Sequence, residues 1–333
     1  MAIPAKTIIR TTVLIALLCV TAVMVSAAES KNNLGDKPML RLEDIHIRDP
    51  FILPVEAEKA YYMYGTMRAM PDGGGGPSFE TYVSKDLKEW EGPIRAFGSS
   101  PDFWGTMHYW APEVHRYLEK YYLFGTFGAD KVLRATQILV SDSPRGPFKP
   151  LTDRPITPFG WQCLDGTLFV DDAGKLWVVF CHEWEQTHDG EICAMRLTED
   201  LKYSDGKPVL LFRASEAPWV APVPWAAGDG DVKNYITDGP FIYRTKGGEL
   251  LMLWSSFGKN GYVQAVARSK SGKITGPWTQ EADLVFDQDG GHGMLFHTFD
   301  GKLMLTLHTP NSGGRERAKL IPVRENDSGL VLE

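Results

Sequence analysis

TDGPFIYRTKGGELLMLWSSF, residues 237–257, decides the fold. It opens on an acid, runs into an apolar stretch, turns through Thr245-Lys246-Gly247-Gly248 and returns along a second apolar run. That is the signature of a β-hairpin. The same plan recurs in RDPFILPVEAEKAYYMYGTM (48–67), APEVHRYLEKYYLFGTF (111–127), LDGTLFVDDAGKLWVVFCHEW (164–184) and GHGMLFHTFDGKLMLTLHTP (291–310). The residues that open these units, Asp49, Glu113, Asp165, Asp238 and His292, follow one another at intervals of 64, 52, 73 and 54. Such intervals suit one four-stranded sheet per unit.

A second signal follows most hairpins: SKDLKEWEGP (84–93), SDSPRGPF (141–148), TEDLKYSDGKP (198–208) and SKSGKITGPW (269–278). Each reads as a third strand ending in Ser or Thr, a turn, and an outer fourth strand. A sheet of this kind cannot bury both faces alone, so the five units must stack. The sequence therefore predicts an all-β five-bladed β-propeller, with four-stranded antiparallel blades around a central axis, which leaves only short, protected edges. PMLRLEDIHI (38–47) is expected to pair with the last blade and seal the ring. SGGRERAKL (312–320) is the one stretch with modest helix character, and no linker parts two domains.

Composition agrees. The chain of 333 residues carries 33 Gly, 22 Pro and 11% aromatics, a mixture that favours short strands and tight turns. With 35 Lys+Arg against 42 Asp+Glu and no basic run, it offers no electrostatic footprint for nucleic acid. Lys6 and Arg10 precede an uncharged run, Thr11 to Ala28, that ends in small residues. Residues 1–27 thus read as a secretory signal peptide, with a membrane anchor as the competing reading. Residues 28–333 are then a single exported domain, secreted or periplasmic, without stable membrane association and expected to be monomeric. It keeps Cys163, Cys181 and Cys193, too few for a disulfide framework and set in apolar contexts that suit buried small side chains.

In a ring of blades the first strand lies nearest the axis, so Asp49, Glu113, Asp165, Asp238 and His292 should converge on one pocket. Second strands end on that face too, bringing Tyr64 or Gly65, Phe127, His182-Glu183-Trp184, Ser255-Ser256 and His308. Carboxylates crowded with His and aromatics push pKa values apart, as acid–base chemistry requires. Phe51, Trp104, Trp110, Trp161 and Trp184 are candidates for flat sugar-binding faces. His182 and His188 are six residues apart, where one helical face of a zinc site needs four, and Gly73–Gly76 lacks the Lys-Ser/Thr of a phosphate loop.

These residues carry a resemblance. Ile47-Arg48-Asp49-Pro50-Phe51, Trp110-Ala111-Pro112-Glu113, Leu164-Asp165-Gly166, Asp238-Gly239-Pro240 and Gly291-His292-Gly293, in this order and spacing, resemble glycoside hydrolase family 43. Its members are five-bladed propeller enzymes acting on arabinose-, xylose- and galactose-containing plant polysaccharides. The resemblance implies an inverting mechanism on a carbohydrate substrate, with Asp49 as general base and Asp165 as the acid's orienter and pKa modulator. It places the general acid at Asp238, where the family normally has Glu. Asp is one methylene shorter, so Glu183, at the end of the second strand that pairs with Asp165's own, is the alternative. Phe51, Trp110, Glu113, Trp184 and His292 would bind substrate. No cofactor is required, although the family often holds an ion on the axis at the His292 position, where a structural Ca²⁺ is the implied candidate. The departure at Asp238 also leaves open a catalytically inactive carbohydrate-binding propeller.

Overall fold

The computed structural model describes residues 39–67, 77–223, 232–311, 313–326 and 329–333. The signal-peptide reading of residues 1–27 and the Gly73–Gly76 loop lie outside the described residues. Five antiparallel sheets form one compact unit. Blade I consists of Arg48–Val55, Ala60–Thr66, Ser78–Ser84 and Glu89–Gly98; blade II of Met107–Tyr117, Lys120–Ala129, Val132–Ser141 and Lys149–Pro150. Blade III is Cys163–Val170, Leu176–His182, Glu191–Arg196 and Val209–Arg213; blade IV is Asp238–Arg244, Leu250–Gly258, Gly261–Ser269 and Thr279–Gln280. Blade V is Gly291–His297, Leu303–Thr309, Arg317–Asn326 and Gly329–Leu332. The five-bladed propeller expected from the repeat is the observed fold.

The core lies between neighbouring blades, because each sheet must cover both faces. Phe79 and Phe97 of blade I meet Tyr109 and Phe127 of blade II, and Phe212 of blade III packs on Trp254 of blade IV. Each buried aromatic removes about 150–250 Å² from water, worth several kcal/mol at about 25 cal/mol per Å². Phe127 and Phe51 belong to this core, so neither is a sugar platform: Phe51 is 5% exposed and sits edge-on to His115 and Phe241.

Every first strand opens with the same backbone device. Asp49 (φ 52°), Ala111 (φ 43°), Asp165 (φ 54°), Gly239 (φ 53°) and His292 (φ 52°) all lie in the left-handed region. Each sits within a break in register against the second strand: Arg48/Phe51, Trp110/Glu113, Leu164/Thr167, Asp238/Phe241 and Gly291/Met294. Bulges of this kind re-aim side chains. They also correct the equivalences drawn from sequence, since Ala111 and Gly239 hold the positions given to Glu113 and Asp238.

Two further expectations change. Leu40–Arg41 pairs with the outer strand of blade I, and the seal to blade V is made by His46, which bridges Arg317. Around that bridge Glu316 takes His46 at 2.9 Å and Arg48 at 3.3 Å. The stretch expected to be weakly helical instead runs into the strand Arg317–Asn326, which buries Ala318, Ile321 and Val323.

Candidate active site

A cavity of about 300 Å³ opens at the axis, lined by Arg48, Asp49, Thr66, Trp110, Leu164, Asp165, Asp238 and His292. A larger hollow, of about 440 Å³, lies on the outer side of blade I, but it is lined by surface charges such as Lys85, Asp86 and Glu89, away from the buried acids.

The bulges aim the acids inward. Asp49 accepts a bond from the Thr66 hydroxyl at 2.6 Å and faces His292 Nδ1 at 3.2 Å. Burial alone would raise its pKa, but His292, Arg48 and the Thr66 hydroxyl outweigh that and hold it below the ordinary carboxylate value. Asp165 accepts the Gly239 amide at 3.0 Å and stands 3.8 Å from the same His292 nitrogen. Burial pushes it up to about 7, with Asp238 and Asp49 adding like charge and His292 opposing. Asp238 accepts from the Tyr262 hydroxyl at 2.9 Å and is raised by burial against the pull of His292 and Tyr262. Burial also opposes charging His292, yet Asp49, Asp165, Asp238 and Glu113 together raise its pKa.

Glu183 follows the second strand of blade III and caps the single helical turn Trp184–Thr187. It is 4% exposed, and Arg134 Nη2 donates to its carboxylate at 2.9 Å and to Glu185 at 2.7 Å. The Arg134 guanidinium lies 5.4 Å from the Trp110 ring, so Glu183 is tied to the cavity wall. Burial pushes Glu183 up to about 8, with Asp238 and Asp165 adding to the rise and Arg134 opposing.

The structure thus brings together Asp49, Asp165, Asp238, His292 and Trp110, with Glu183 adjoining through Arg134. Glu113 does not line the cavity. It bonds His115 at 3.0 Å and faces a smaller hollow of about 10 Å³ beside His292. Trp104 bonds Gln137 and packs on Phe103 and Phe127, Trp161 stacks on His182, and Trp184 is half-buried in its helical turn, outside the cavity lining. His182 is held by Glu191 and Gln186, and His188 by Asn234, as befits hydrogen-bonded rather than zinc-binding residues. Among the described residues no group of three or more His, Cys, Asp or Glu is disposed to hold a metal ion. His292, the residue at the implied ion position, lines both the small hollow and the cavity of about 300 Å³. Among the described residues, Cys163, Cys181 and Cys193 are buried and free.

Sequence reasoning missed Thr66, Arg134 and Tyr262. Arg134 and Tyr262 stand near the start of third strands, which leave the pocket face directly after the second strands reach it. The short turns Asp130–Lys131 and Lys259–Asn260 were the available signal.

The profile of Glycosyl hydrolases family 43 matches residues 42–323. The chain is similar to the extracellular exo-α-(1→5)-L-arabinofuranosidase ArbA of Cellvibrio japonicus, 24% identical over 84% of this chain and 83% of that protein. An endo-arabinase structure from Bacteroides thetaiotaomicron is 44% identical, with a TM-score of 0.80 over 87% of this chain and 99% of its own. An endo-1,4-β-xylanase structure from the same organism is 25% identical, with a TM-score of 0.67 over 89% of this chain and 96% of its own. A family profile that spans all five blades, joined to this propeller with its acids gathered at the axis, makes the chain a member of Glycosyl hydrolases family 43 and a glycoside hydrolase.

Proposed function

We propose that the protein is an exported, inverting glycosidase that releases terminal α-L-arabinofuranosyl units from arabinan-type chains, with Asp49 as general base and Glu183 as general acid. The observation that carries this reading is the divergence of two carboxyls, Asp49 in the cavity lining and Glu183 joined to its wall through Arg134. Asp49 is held below its ordinary value, while Glu183 is pushed up to about 8 and so keeps its proton at neutral pH. Asp49 takes a proton from water as the water oxygen bonds the anomeric carbon. The bond to the leaving oxygen breaks, and that oxygen receives the Glu183 proton. Arg134 then pairs with the carboxylate that Glu183 becomes. Burial, reinforced by like charge from Asp238 and Asp165, keeps the acid's pKa high.

The arabinofuranosyl preference is supported by the similar endo-arabinase and ArbA, and export by the word extracellular in ArbA's name together with residues 1–27. A cavity of about 300 Å³ is at the small end of ligand pockets, which favours a terminal sugar over an internal stretch of chain. A second reading keeps Asp238 as the acid, because it lines that cavity directly.

Rates on arabino-oligosaccharides and on nitrophenyl α-L-arabinofuranoside decide between these. A nitrophenolate leaves without protonation, so loss of the acid harms the natural leaving group far more. Glu183→Gln should lose about 10²–10⁴-fold in kcat on oligosaccharides and much less on the nitrophenyl substrate. Asp49→Asn should lose heavily on both. That leaving-group split in Asp238→Asn, with Glu183→Gln near wild type, would move the acid to Asp238. Binding of arabinan without turnover by the wild type would instead favour the sugar-binding propeller.

A further inference from the structure

The left-handed residue that opens each first strand has its amide turned out of the ladder, and the preceding blade catches it with a side chain, in four of the five blades from one equivalent position. Ala111 N donates to Thr66 Oγ1 at 2.7 Å, Asp165 N to Thr126 Oγ1 at 3.0 Å, and His292 N to Ser255 Oγ at 2.8 Å. Asp49 N donates to His308 Nδ1 of blade V at 3.1 Å. Thr66, Thr126, Ser255 and His308 hold one register position, each paired with the residue just before its own blade's bulge: Arg48, Trp110, Asp238 and Gly291. In blade III that position is Cys181, paired with Leu164, and the Gly239 amide goes to Asp165 instead.

Where three blades use a hydroxyl, the blade behind Asp49 uses an imidazole, and the bonds fix its tautomer. An amide can only donate, so Nδ1 must be the bare acceptor and Nε2 carries the proton, which points at Asn311 Oδ1 at 2.9 Å. Asn311 also receives Arg48: Nη2 to its Oδ1 at 3.0 Å and Nη1 to its carbonyl at 2.8 Å. Residues 48 and 49 are thereby gripped together from blade V. The ring is fully buried and nearly parallel to Tyr262, with centroids 5.7 Å apart and 21° between planes.

We infer that His308 is a positioning residue for Asp49: by accepting its backbone amide, with Asn311 holding the required tautomer, it fixes the direction from which the base meets the attacking water. The inference rests on Asp49 being the general base. Both imidazoles stand near one Asp49 carboxylate oxygen, His292 Nδ1 at 3.2 Å and His308 Nδ1 at 3.4 Å, but only His308 also takes the backbone amide.

The test is the pair His308→Thr and His308→Val in the full chain, beside wild type and Asp49→Asn, read as kcat, KM and thermal midpoint on nitrophenyl α-L-arabinofuranoside. The two side chains have the same shape and leave the same space, but only Thr supplies the acceptor that blades I and II already use at this position. His308→Val should lose about 10- to 100-fold in kcat, the scale on which small misplacements act, with KM little changed. His308→Thr should recover most of that loss at a matching thermal midpoint. His308→Ser against His308→Ala repeats the comparison if the larger pair folds poorly. Equal kcat within each pair, or a loss confined to KM, overturns the inference while leaving Asp49 as base. Wild-type kcat in Asp49→Asn overturns the base assignment itself, and the inference with it.

Discussion

At the residue scale the site works because one buried acidic cluster is divided by its neighbours. Arg48, His292 and Thr66 surround Asp49, whereas Glu183 meets burial and three like charges, Asp238, Asp165 and Glu185, against a single Arg134. The rate profile follows from the signs. Activity should hold while Asp49 is ionised and Glu183 protonated, falling on the alkaline side near pH 8 and on the acid side only below the ordinary carboxylate value. A pH profile of kcat/KM whose alkaline limb stays put in Glu183→Gln would contradict the assignment. Stability should carry the same signature. The Glu183 pKa is raised in the folded protein, so its contribution is full below the unfolded value of 4.5 and is lost as pH rises towards about 8. Over that window the wild-type melting midpoint should fall more than that of Glu183→Gln.

At the scale of the element, the hairpin bulge matters more than the strands it interrupts. A bulged first residue turns its side chain to the axis and its amide to the neighbouring blade, so strand geometry becomes site geometry. Two glycines mark how tightly this is packed. A Cβ on Gly65 would come within 2.5 Å of the Arg48 carbonyl and of Ile47, directly behind Asp49. Gly239, at φ 53°, would bring a Cβ to 2.5 Å from the His292 ring. Gly65→Ala should cost about 1–3 kcal/mol by overpacking, seen as a lower midpoint in denaturant. Gly239→Ala should lower kcat as well, because it moves the imidazole that faces Asp49. A Gly239→Ala enzyme with unchanged kcat would show that the His292 contact is dispensable.

Across the whole molecule, five blades close into a ring whose last joint is polar. Glu316 of blade V takes His46 and Arg48, and the Ile47 amide bonds the Glu316 carbonyl at 3.2 Å. Burial would raise the Glu316 pKa, but its own backbone, His46 and Arg48 lower it overall. Its contribution is therefore present above the unfolded value of 4.5 and lost as pH falls below it. Glu316→Gln should melt earlier than wild type at neutral pH, and the gap should close on acidification. Because Arg48 also holds Asn311, the joint and the positioning of Asp49 share a residue, so this variant should lose activity before it unfolds.

The ring of five blades and the inward convergence of Asp49, Asp165, Asp238 and His292 could be read from sequence because each is a periodic property, whereas the choice between Asp238 and Glu183 came from the family resemblance. A repeat of hairpins with equivalent opening residues leaves little choice of architecture. The register within each unit could not be read, since a bulge shifts one residue against the next strand without altering the pattern of apolar side chains. Glu113 therefore moved away from the cavity and Asp238 proved to be one residue off the repeat position. Tertiary structure alone decided which partners charge or neutralise each acid: Arg134 for Glu183, Tyr262 for Asp238, and His308 for the backbone of Asp49. Those contacts cross between strands and blades that lie far apart in the chain, and pKa values and bond directions depend on separations of a few ångströms that folding sets.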